Sequence, residues 1–319
     1  MTQNLPSPDS PLKIGTRGSP LALAQAYETR QRLMNAFNLP DTAFDIVIIK
    51  TTGDDAGLIA KDRPLKEIGG KGLFTKEIEE DLLSGAIDIA VHSMKDMPVD
   101  QPAGLLLDTF LPREDTRDAF VSPNINDLSE LPSGAVVGTS SLRRRAQLLN
   151  FRPDLEVVEF RGNVQTRLKK LSNGVADCTF LAMAGLNRLG MSHVAASAIS
   201  AEDMLPAVAQ GAIGIERRLS DFDTADLLAA IHDTSTGSML AAERAFLGAL
   251  DGSCETPIAG LCELDGSKMR LRGEVLRPDG SERINDDKTA PIEDGAELGR
   301  EMAIHLLNQA GPDFFSWRS

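Results

Sequence analysis

The 319-residue sequence predicts an α/β protein: two similar domains facing each other across a cleft, followed by a small α+β domain. Three observations predict it. The chain is too long for one ordinary core and suits two or three domains. Strand-length apolar runs alternate with helical periodicity through about residue 217, the pattern of βα units. The cycle also recurs. Ile14-Gly15-Thr16 parallels Val137-Gly138-Thr139, each running into a helix, and Ser84-Gly85-Ala86-Ile87-Asp88 parallels Asn173-Gly174-Val175-Ala176-Asp177, each running into a strand. The parallel is suggestive only, because Gly-Thr and Gly-x-x-Asp are short enough to recur by chance.

Composition narrows the class. Apolar residues make up 42% and charged residues 25%, which is globular rather than disordered. Aromatics are only 4%, so the cores are expected to be filled mainly by Leu, Ile, Val and Ala. A net charge of −14 disfavours a nucleic-acid binder that works by bulk charge. No apolar run reaches the ~18 residues of a membrane span. The polar N-terminus lacks a signal-peptide core and reads as a flexible leader ending near Leu12. Cys178, Cys254 and Cys262 have no C-x-x-C spacing, and the four histidines lie far apart, so neither a disulfide framework nor a metal site is expected. A cytoplasmic location fits that usage.

The elements follow in order. Leu12 to Thr16 reads as a strand, and Leu21 to about Phe37 as a helix with Ser19 as N-cap and Pro20 in the first turn. Ala43 to Lys50 is a second strand. Residues 51–72 hold five glycines without periodicity, as expected of a lid loop. Leu73 to Ser84 is an amphipathic helix that Gly85 is placed to end, and Ile87 to Val91 a buried strand opening into His92-Ser93-Met94-Lys95-Asp96-Met97-Pro98. Strands then run near 135–138, 155–160 and 176–182, with helices near 142–150 and from 163 to about 172. Ala212 to Arg217 is a strand able to return to the first domain. Helices near 224–232 and 239–250, strands near 258–264 and 269–276, a turn at Arg277-Pro278-Asp279-Gly280 and a helix over 295–309 complete the chain.

Chemistry shows first as positive charge against the global trend. Between Thr139 and Lys170 lie Arg143, Arg144, Arg145, Arg152, Arg161, Arg167, Lys169 and Lys170, opposed only by Asp154, Glu156 and Glu159. Two helix N-termini fall in the same stretch, after Thr139-Ser140-Ser141 and after Gly162. Helix N-termini and arginine forks both favour carboxylate or phosphate. A solvated basic helix face is the alternative. Arg17 also precedes a helix N-terminus. Asp96 follows a buried strand, where α/β sheets place ligands, although a lone loop Asp is more often a turn residue. Cys254 lies in a Gly-flanked loop, although a lone cysteine is more often packing than nucleophile.

Taken together, the segments are far more specific than any one of them. Arg17-Gly18-Ser19-Pro20-Leu21-Ala22, Gly69-Gly70-Lys71-Gly72-Leu73-Phe74, Val91-His92-Ser93-Met94-Lys95-Asp96-Met97-Pro98, Gly138-Thr139-Ser140-Ser141-Leu142-Arg143-Arg144 and Arg161-Gly162-Asn163-Val164 stand in one order. Ala184-Gly185-Leu186-Asn187-Arg188-Leu189-Gly190, Pro206-Ala207-Val208-Ala209-Gln210-Gly211 and the Cys254 loop continue it. From about Leu12 to Pro257 the sequence resembles the porphobilinogen deaminase (hydroxymethylbilane synthase) family, and more loosely to its end.

The resemblance implies two domains like the halves of type II periplasmic binding proteins, residues 1–112 plus 212–230 and residues 117–205, with a third domain over 235–319. It implies a transferase that condenses four porphobilinogens head to tail into hydroxymethylbilane with release of four ammonia molecules, in tetrapyrrole (haem) biosynthesis. The primer is a dipyrromethane cofactor, covalently attached through Cys254 as a thioether. Every substrate unit carries two carboxylates, which would account for local basicity in an acidic chain. By motif, Asp96 is the catalytic carboxylate. Ser19, Lys95, Thr139, Ser140, Ser141, Arg143, Arg144, Arg161 and Arg188 hold the cofactor. Arg17, Arg161, Arg167 and Gln210 bind substrate, and Lys71 and Phe74 belong to the lid. No second lid lysine is carried over, because Lys66-Glu67-Ile68 leaves that position ambiguous. The loop Gly252-Ser253-Cys254-Glu255-Thr256-Pro257 differs from the Gly-Gly-Cys-Gln-x-Pro of many relatives but keeps cysteine and proline. The family precedent is a monomer without nucleic-acid or membrane partners.

Two other classes share parts of the pattern. A solute-binding protein would have the two-domain cleft and an anion site, but would normally be exported and needs neither Cys254 nor a third domain. A nucleic-acid binder would use the arginines on phosphates, against the acidic background and the scarcity of aromatics.

Overall fold

The computed structural model describes residues 5–52, 75–250, 256–311 and 313–318. The expected lid over 51–72, with Lys71, therefore lies almost wholly outside the described residues, as do Phe74 and Cys254. The chain forms two compact units. The first comprises, among described residues, 5–52, 75–114 and 211–237, and the second 115–210 with 238 to the C-terminus.

The first unit is a five-stranded sheet with order β2-β1-β3-β10-β4. Its strands are β1 (Leu12–Arg17), β2 (Phe44–Ile49), β3 (Ile89–Ser93), β4 (Leu105–Phe110) and β10 (Ile213–Arg218). β1 is parallel to both β2 and β3, whereas β10 inserts antiparallel between β3 and β4. Helix α1 (Pro20–Phe37) starts where expected, with Ser19 Oγ accepting from the Ala22 N–H at 3.2 Å. It ends at Asn38 in the left-handed region. Helix α2 (Lys76–Ser84) ends at Gly85, whose φ of 78° is the reason a glycine stands there. One sheet face packs Ile14, Leu33, Val91, Ile213 and Leu228, the last from helix α6 (Phe222–Ala229). The other packs Ile49, Ile78, Leu82 and Ile87.

The second unit carries two separate sheets. One has order β7-β6-β8-β5-β9. It is built from β5 (Asp118–Val121), β6 (Val136–Gly138), β7 (Glu156–Val158), β8 (Cys178–Ala182) and β9 (Ser197–Ala198). Helices α3 (Leu142–Phe151), α4 (Val164–Ser172) and α5 (Met183–Arg188) join them. This sheet repeats the first unit's pattern, in which the strand inserted beside the third parallel strand runs antiparallel. That shared crossed order is the type II binding-protein arrangement expected for the first two domains. The other sheet is a meander of β11 (Ile258–Asp265), β12 (Lys268–Leu276) and β13 (Arg283–Pro291), packed by α8 (Gly295–Gln309) and preceded by α7 (Thr234–Ala249).

The segment expected as a third domain thus lies in the same compact unit as residues 117–205. The contacts are specific. The Gly260 N–H donates to Pro206 O at 3.0 Å, and Asn150 Nδ2 to Gly280 O at 2.8 Å. Arg272 meets Glu202, and Gln147 donates to the buried Glu274.

Strands β4, β5, β13 and the two-residue β9 were not expected. β4 and β5 follow loops with no preceding helix, outside the βα rhythm, and β13 is an exposed edge whose residues Asn285, Asp286, Asp287 and Lys288 lack strand character. The helix α7 begins five residues before its expected start at Met239. The low aromatic content also hides an asymmetry. The fully buried phenylalanines Phe120, Phe160, Phe180, Phe246 and Phe314 all belong to the second unit. Among the described residues, no helix is long and apolar enough to cross a membrane.

Candidate active site

In the first unit the parallel strands β1 and β3 end side by side, and their carboxyl ends carry the polar residues. β1 ends at Arg17, and Ser19 caps the helix that follows. β3 ends at Ser93 and turns through Met94–Asp96, closed by the Met97 N–H on Met94 O at 3.2 Å. The Met94 N–H donates to Ala212 O at 3.0 Å, which docks the turn onto β10. Lys95 is half-buried in that turn and Asp96 exposed. Arg17, Ser19, Gln25, His92, Ser93 and Asp96 line one cavity. Arg17, Ser19 and Asp96 are thus brought together.

Gln25 and His92 are cavity residues that the sequence reading passed over. Gln25 is 3% exposed, and its Nε2 donates to Ser93 Oγ at 2.8 Å. A signal was available. Ala22, Gln25, Ala26, Thr29 and Leu33 form the buried stripe of α1, and a glutamine within such a stripe needs a polar partner.

In the second unit the corresponding strand β6 runs into Thr139, Ser140 and Ser141. The Thr139 N–H donates to Val158 O at 3.0 Å, and its Oγ1 accepts from the Ser141 N–H at 3.2 Å. Ser140 Oγ accepts from the Phe160 N–H at 2.9 Å, and Ser141 Oγ from the Arg144 N–H at 3.4 Å, capping α3. Gly138 must be glycine, since a Cβ there would lie 2.5 Å from the Phe160 ring. Arg161 follows Phe160 and is half-buried, and Gly162 turns with φ 119° into the Asn163 cap of α4. Arg167 Nε donates to Gly162 O at 2.8 Å, and Arg188 is the half-buried last residue of α5. The two helix N-termini and Arg161 form an anion-favouring surface of N–H groups, hydroxyls and guanidinium.

Arg143 and Arg144, expected to bind ligand carboxylates, have a protein carboxylate as partner. Both point inward from α3 and share the fully buried Asp118 of β5. Arg143 Nη2 lies 2.8 Å from Oδ2, and Arg144 Nη2 lies 2.7 Å from Oδ1. Gln210, expected to bind substrate, is 1% exposed and donates to the same Asp118 Oδ1 at 2.9 Å. Burial pushes the Asp118 carboxyl up, but Arg143, Arg144 and the hydrogen bonds from Arg144 and Gln210 pull harder and hold it far below the usual carboxylate range. The physical reason is helix periodicity. Positions 143, 144, 146, 147 and 148 of α3 are buried, so two consecutive arginines fall on the inner face and only Arg145 faces solvent. An aspartate opening an otherwise apolar strand, Asp118-Ala119-Phe120-Val121, was the available sign of a buried partner.

The two described cysteines are buried. Cys178 is buried in β8, and burial with help from the Asp177 charge pushes its thiol up to about 12. Cys262 is buried in β11. Among described residues, no group of three or more His, Cys, Asp or Glu is arranged to hold a metal.

A family model described as "Porphobilinogen deaminase, dipyromethane cofactor binding domain" matches residues 12–226. A second, "Porphobilinogen deaminase, C-terminal domain", matches residues 239–308. The chain belongs to the porphobilinogen deaminase family. It is 65% identical to the porphobilinogen deaminase of Paracoccus denitrificans over 99% of this chain and 100% of that one. It is 51% identical to the porphobilinogen deaminase of Nitrobacter winogradskyi over 95% of each. A periplasmic substrate-binding protein of an ABC transporter from Coxiella burnetii aligns at 15% identity, over 73% of this chain and 96% of that one, with a TM-score of 0.41.

As a porphobilinogen deaminase, the chain is a transferase of tetrapyrrole biosynthesis. It joins four porphobilinogens head to tail into hydroxymethylbilane, releases four ammonia molecules, and uses a dipyrromethane cofactor. The donors in each unit are of the kind such a cofactor needs, because guanidiniums, hydroxyls and capped helix N-termini suit the acetate and propionate groups of pyrroles.

Proposed function

We propose that Cys254 carries the dipyrromethane as a thioether and that Asp96 is the carboxylate that serves each condensation. When bound, the cofactor supplies the pyrrole carbon to which substrate is first added. Arg17, Ser19 and Lys95 on one unit, and Thr139, Ser140, Ser141, Arg161, Arg167 and Arg188 on the other, bind and orient its carboxylates and those of porphobilinogen. Asp96 holds pyrrole N–H groups and stabilises the positive charge that develops as ammonia departs. Arg143, Arg144 and Gln210 serve this site from behind, by fixing α3 and its capped N-terminus against Asp118.

The single observation that carries this reading is the cavity that brings Arg17, Ser19 and Asp96 together at the ends of parallel strands. Burial of Cys178 and Cys262 supports Cys254 as the thioether cysteine, because a thiol buried in a strand has neither access nor thiolate character. The enzyme works in the cytoplasm as a monomer, without nucleic-acid or membrane partners, in keeping with three cysteines that show no C-x-x-C spacing and a charge of −14.

Intact-mass measurement of the purified chain tests the attachment. The wild type, Cys178→Ala and Cys262→Ala are expected to carry the added dipyrromethane mass, and Cys254→Ala to be folded, unmodified and inactive. Loading of Cys254→Ala, or bare chain in Cys178→Ala, would overturn the assignment.

A further inference from the structure

The cavity that holds Asp96 has in its wall a titratable side chain, paired with a second one behind it, that the roles above leave unused. His92 of β3 lines the cavity. Its Nε2 lies 3.1 Å from Oε2 of Glu216 in β10, with side chains 5% and 0% exposed. The register makes this a diagonal cross-strand pair, since Gly214 faces His92 and Glu216 faces Ala90. The second carboxylate oxygen, Glu216 Oε1, is buried without a hydrogen-bond partner among described residues.

Other charged groups face this pair. Glu79 reaches it from α2. Burial pushes the Glu79 carboxyl up, a hydrogen bond with Thr75 opposes this, the Glu216 charge adds to the rise, and His92 offsets it. Arg17 from β1 and Asp96 from the following turn stand on the same cavity. A carboxylate this deeply buried needs a compensating charge. The partner at hydrogen-bond distance is an imidazole, the side chain best suited to gain and lose a proton near neutrality.

The reaction supplies a use for such a proton. In each condensation the C–N bond of an aminomethyl group carried as ammonium breaks, and so does a C–H bond of the accepting pyrrole. A C–C bond forms, and the hydrogen displaced from carbon leaves on ammonia as ammonium. Asp96 stabilises the cation only while it stays ionised, so the proton needs a second resting place.

We propose that His92 is that place, with Glu216 as the positioning residue that orients the ring and balances its charge. His92, resting as imidazolium on Glu216, gives its proton to the departing ammonia, which prevents the amine from adding back. The neutral ring then takes the proton released from the substituted pyrrole carbon and is reset. This rests on the reading of Asp96 as the charge-stabilising carboxylate.

The test uses cofactor-loaded wild type, Glu216→Gln, His92→Ala and Asp96→Asn, with single-turnover elongation followed across pH by intact mass. Nitrogen-15 NMR of labelled histidine in the same loaded proteins, without substrate, reads the ring directly. Glu216→Gln keeps the side-chain volume. It is expected to slow elongation about 100-fold, to move the alkaline limb of the profile to lower pH, and to shift the His92 nitrogen signals from imidazolium toward neutral. His92→Ala is expected to regain rate with added imidazoles, and to regain more with the more basic ones. An unchanged profile and unchanged nitrogen signals in Glu216→Gln would overturn the proposal, as would rescue that ignores imidazole basicity. If His92→Ala does not fold, Glu216→Gln alone decides. Asp96→Asn should lower the rate at every pH and leave the His92 signals in place. A normal rate there would remove the Asp96 reading while the His92 result still stood.

Discussion

Asp96 and the arginines differ in when they act, and the difference is measurable. Carboxylates are present before and after each condensation, so in the proposed role Arg161 contributes mainly to binding. In its proposed role Asp96 meets charge that exists only as ammonia leaves and the new bond forms, and removing such an interaction lowers the rate while leaving ground-state affinity nearly unchanged. Asp96→Asn is expected to bind porphobilinogen and to elongate about 10²–10³-fold more slowly in single-turnover kinetics. Arg161→Leu is expected to bind weakly. Arg144→Leu, by contrast, is expected to lower stability, because Arg144 pairs with the buried Asp118. Asp118→Asn leaves two buried guanidiniums without their anion and should cost about 3–5 kcal/mol in urea unfolding at neutral pH. The sign with pH follows from the depressed Asp118 carboxyl. Its contribution is fully present above the ordinary carboxylate range and is lost as pH falls through that range toward its lowered folded value. The gap between wild type and Asp118→Asn should therefore narrow in acid, and a gap constant with pH would argue against an ionised Asp118.

At the scale of elements, the strand-to-helix turns position the site. Gly138 lets β6 pass under the Phe160 ring, and the Phe160 N–H is held by Ser140, so the position of Arg161 is set by its neighbours Gly138, Phe160 and Ser140. Gly138→Ala must displace that ring. A melting curve should show a loss of about 1–3 kcal/mol, together with weakened substrate binding. Ser141→Ala removes the α3 cap and should cost about 1 kcal/mol in chemical denaturation, with binding reduced less than in Gly138→Ala. Much of this was legible in sequence. Ser19-Pro20 and Asn163 announce helix starts, and Gly85 announces a stop, because caps and left-handed turns are chosen by chemistry local to a few residues. β13 was not legible, because an exposed edge strand is recruited by its neighbour β12 rather than by its own composition.

At the scale of the whole molecule, the late strand β10 completes the first unit's sheet between β3 and β4, and its Glu216 backs a histidine 124 residues earlier. Low aromatic content is distributed unevenly as well, with a first core that is mostly aliphatic around Phe44 and a second that buries Phe120 and Phe180 completely. Sedimentation equilibrium is expected to return a single species near the 34.3 kDa of the chain plus its cofactor, at ordinary salt. A species of twice that mass would overturn the monomer.

By itself the sequence determined the family, the order of the first strands and helices, and the Arg17, Ser19 and Asp96 positions at strand ends. Those features are written in contiguous residues, as caps, glycine turns and motif spacing. Tertiary structure alone decided which charges face the interior and with what partner. Nothing in Leu142-Arg143-Arg144-Arg145 says that two of its three guanidiniums close on an aspartate about 25 residues earlier, or that His92 closes on Glu216. A charge is committed by the partner its burial requires, and that partner is brought by the fold from a distant segment, so the assignment exists only once the sheets are formed.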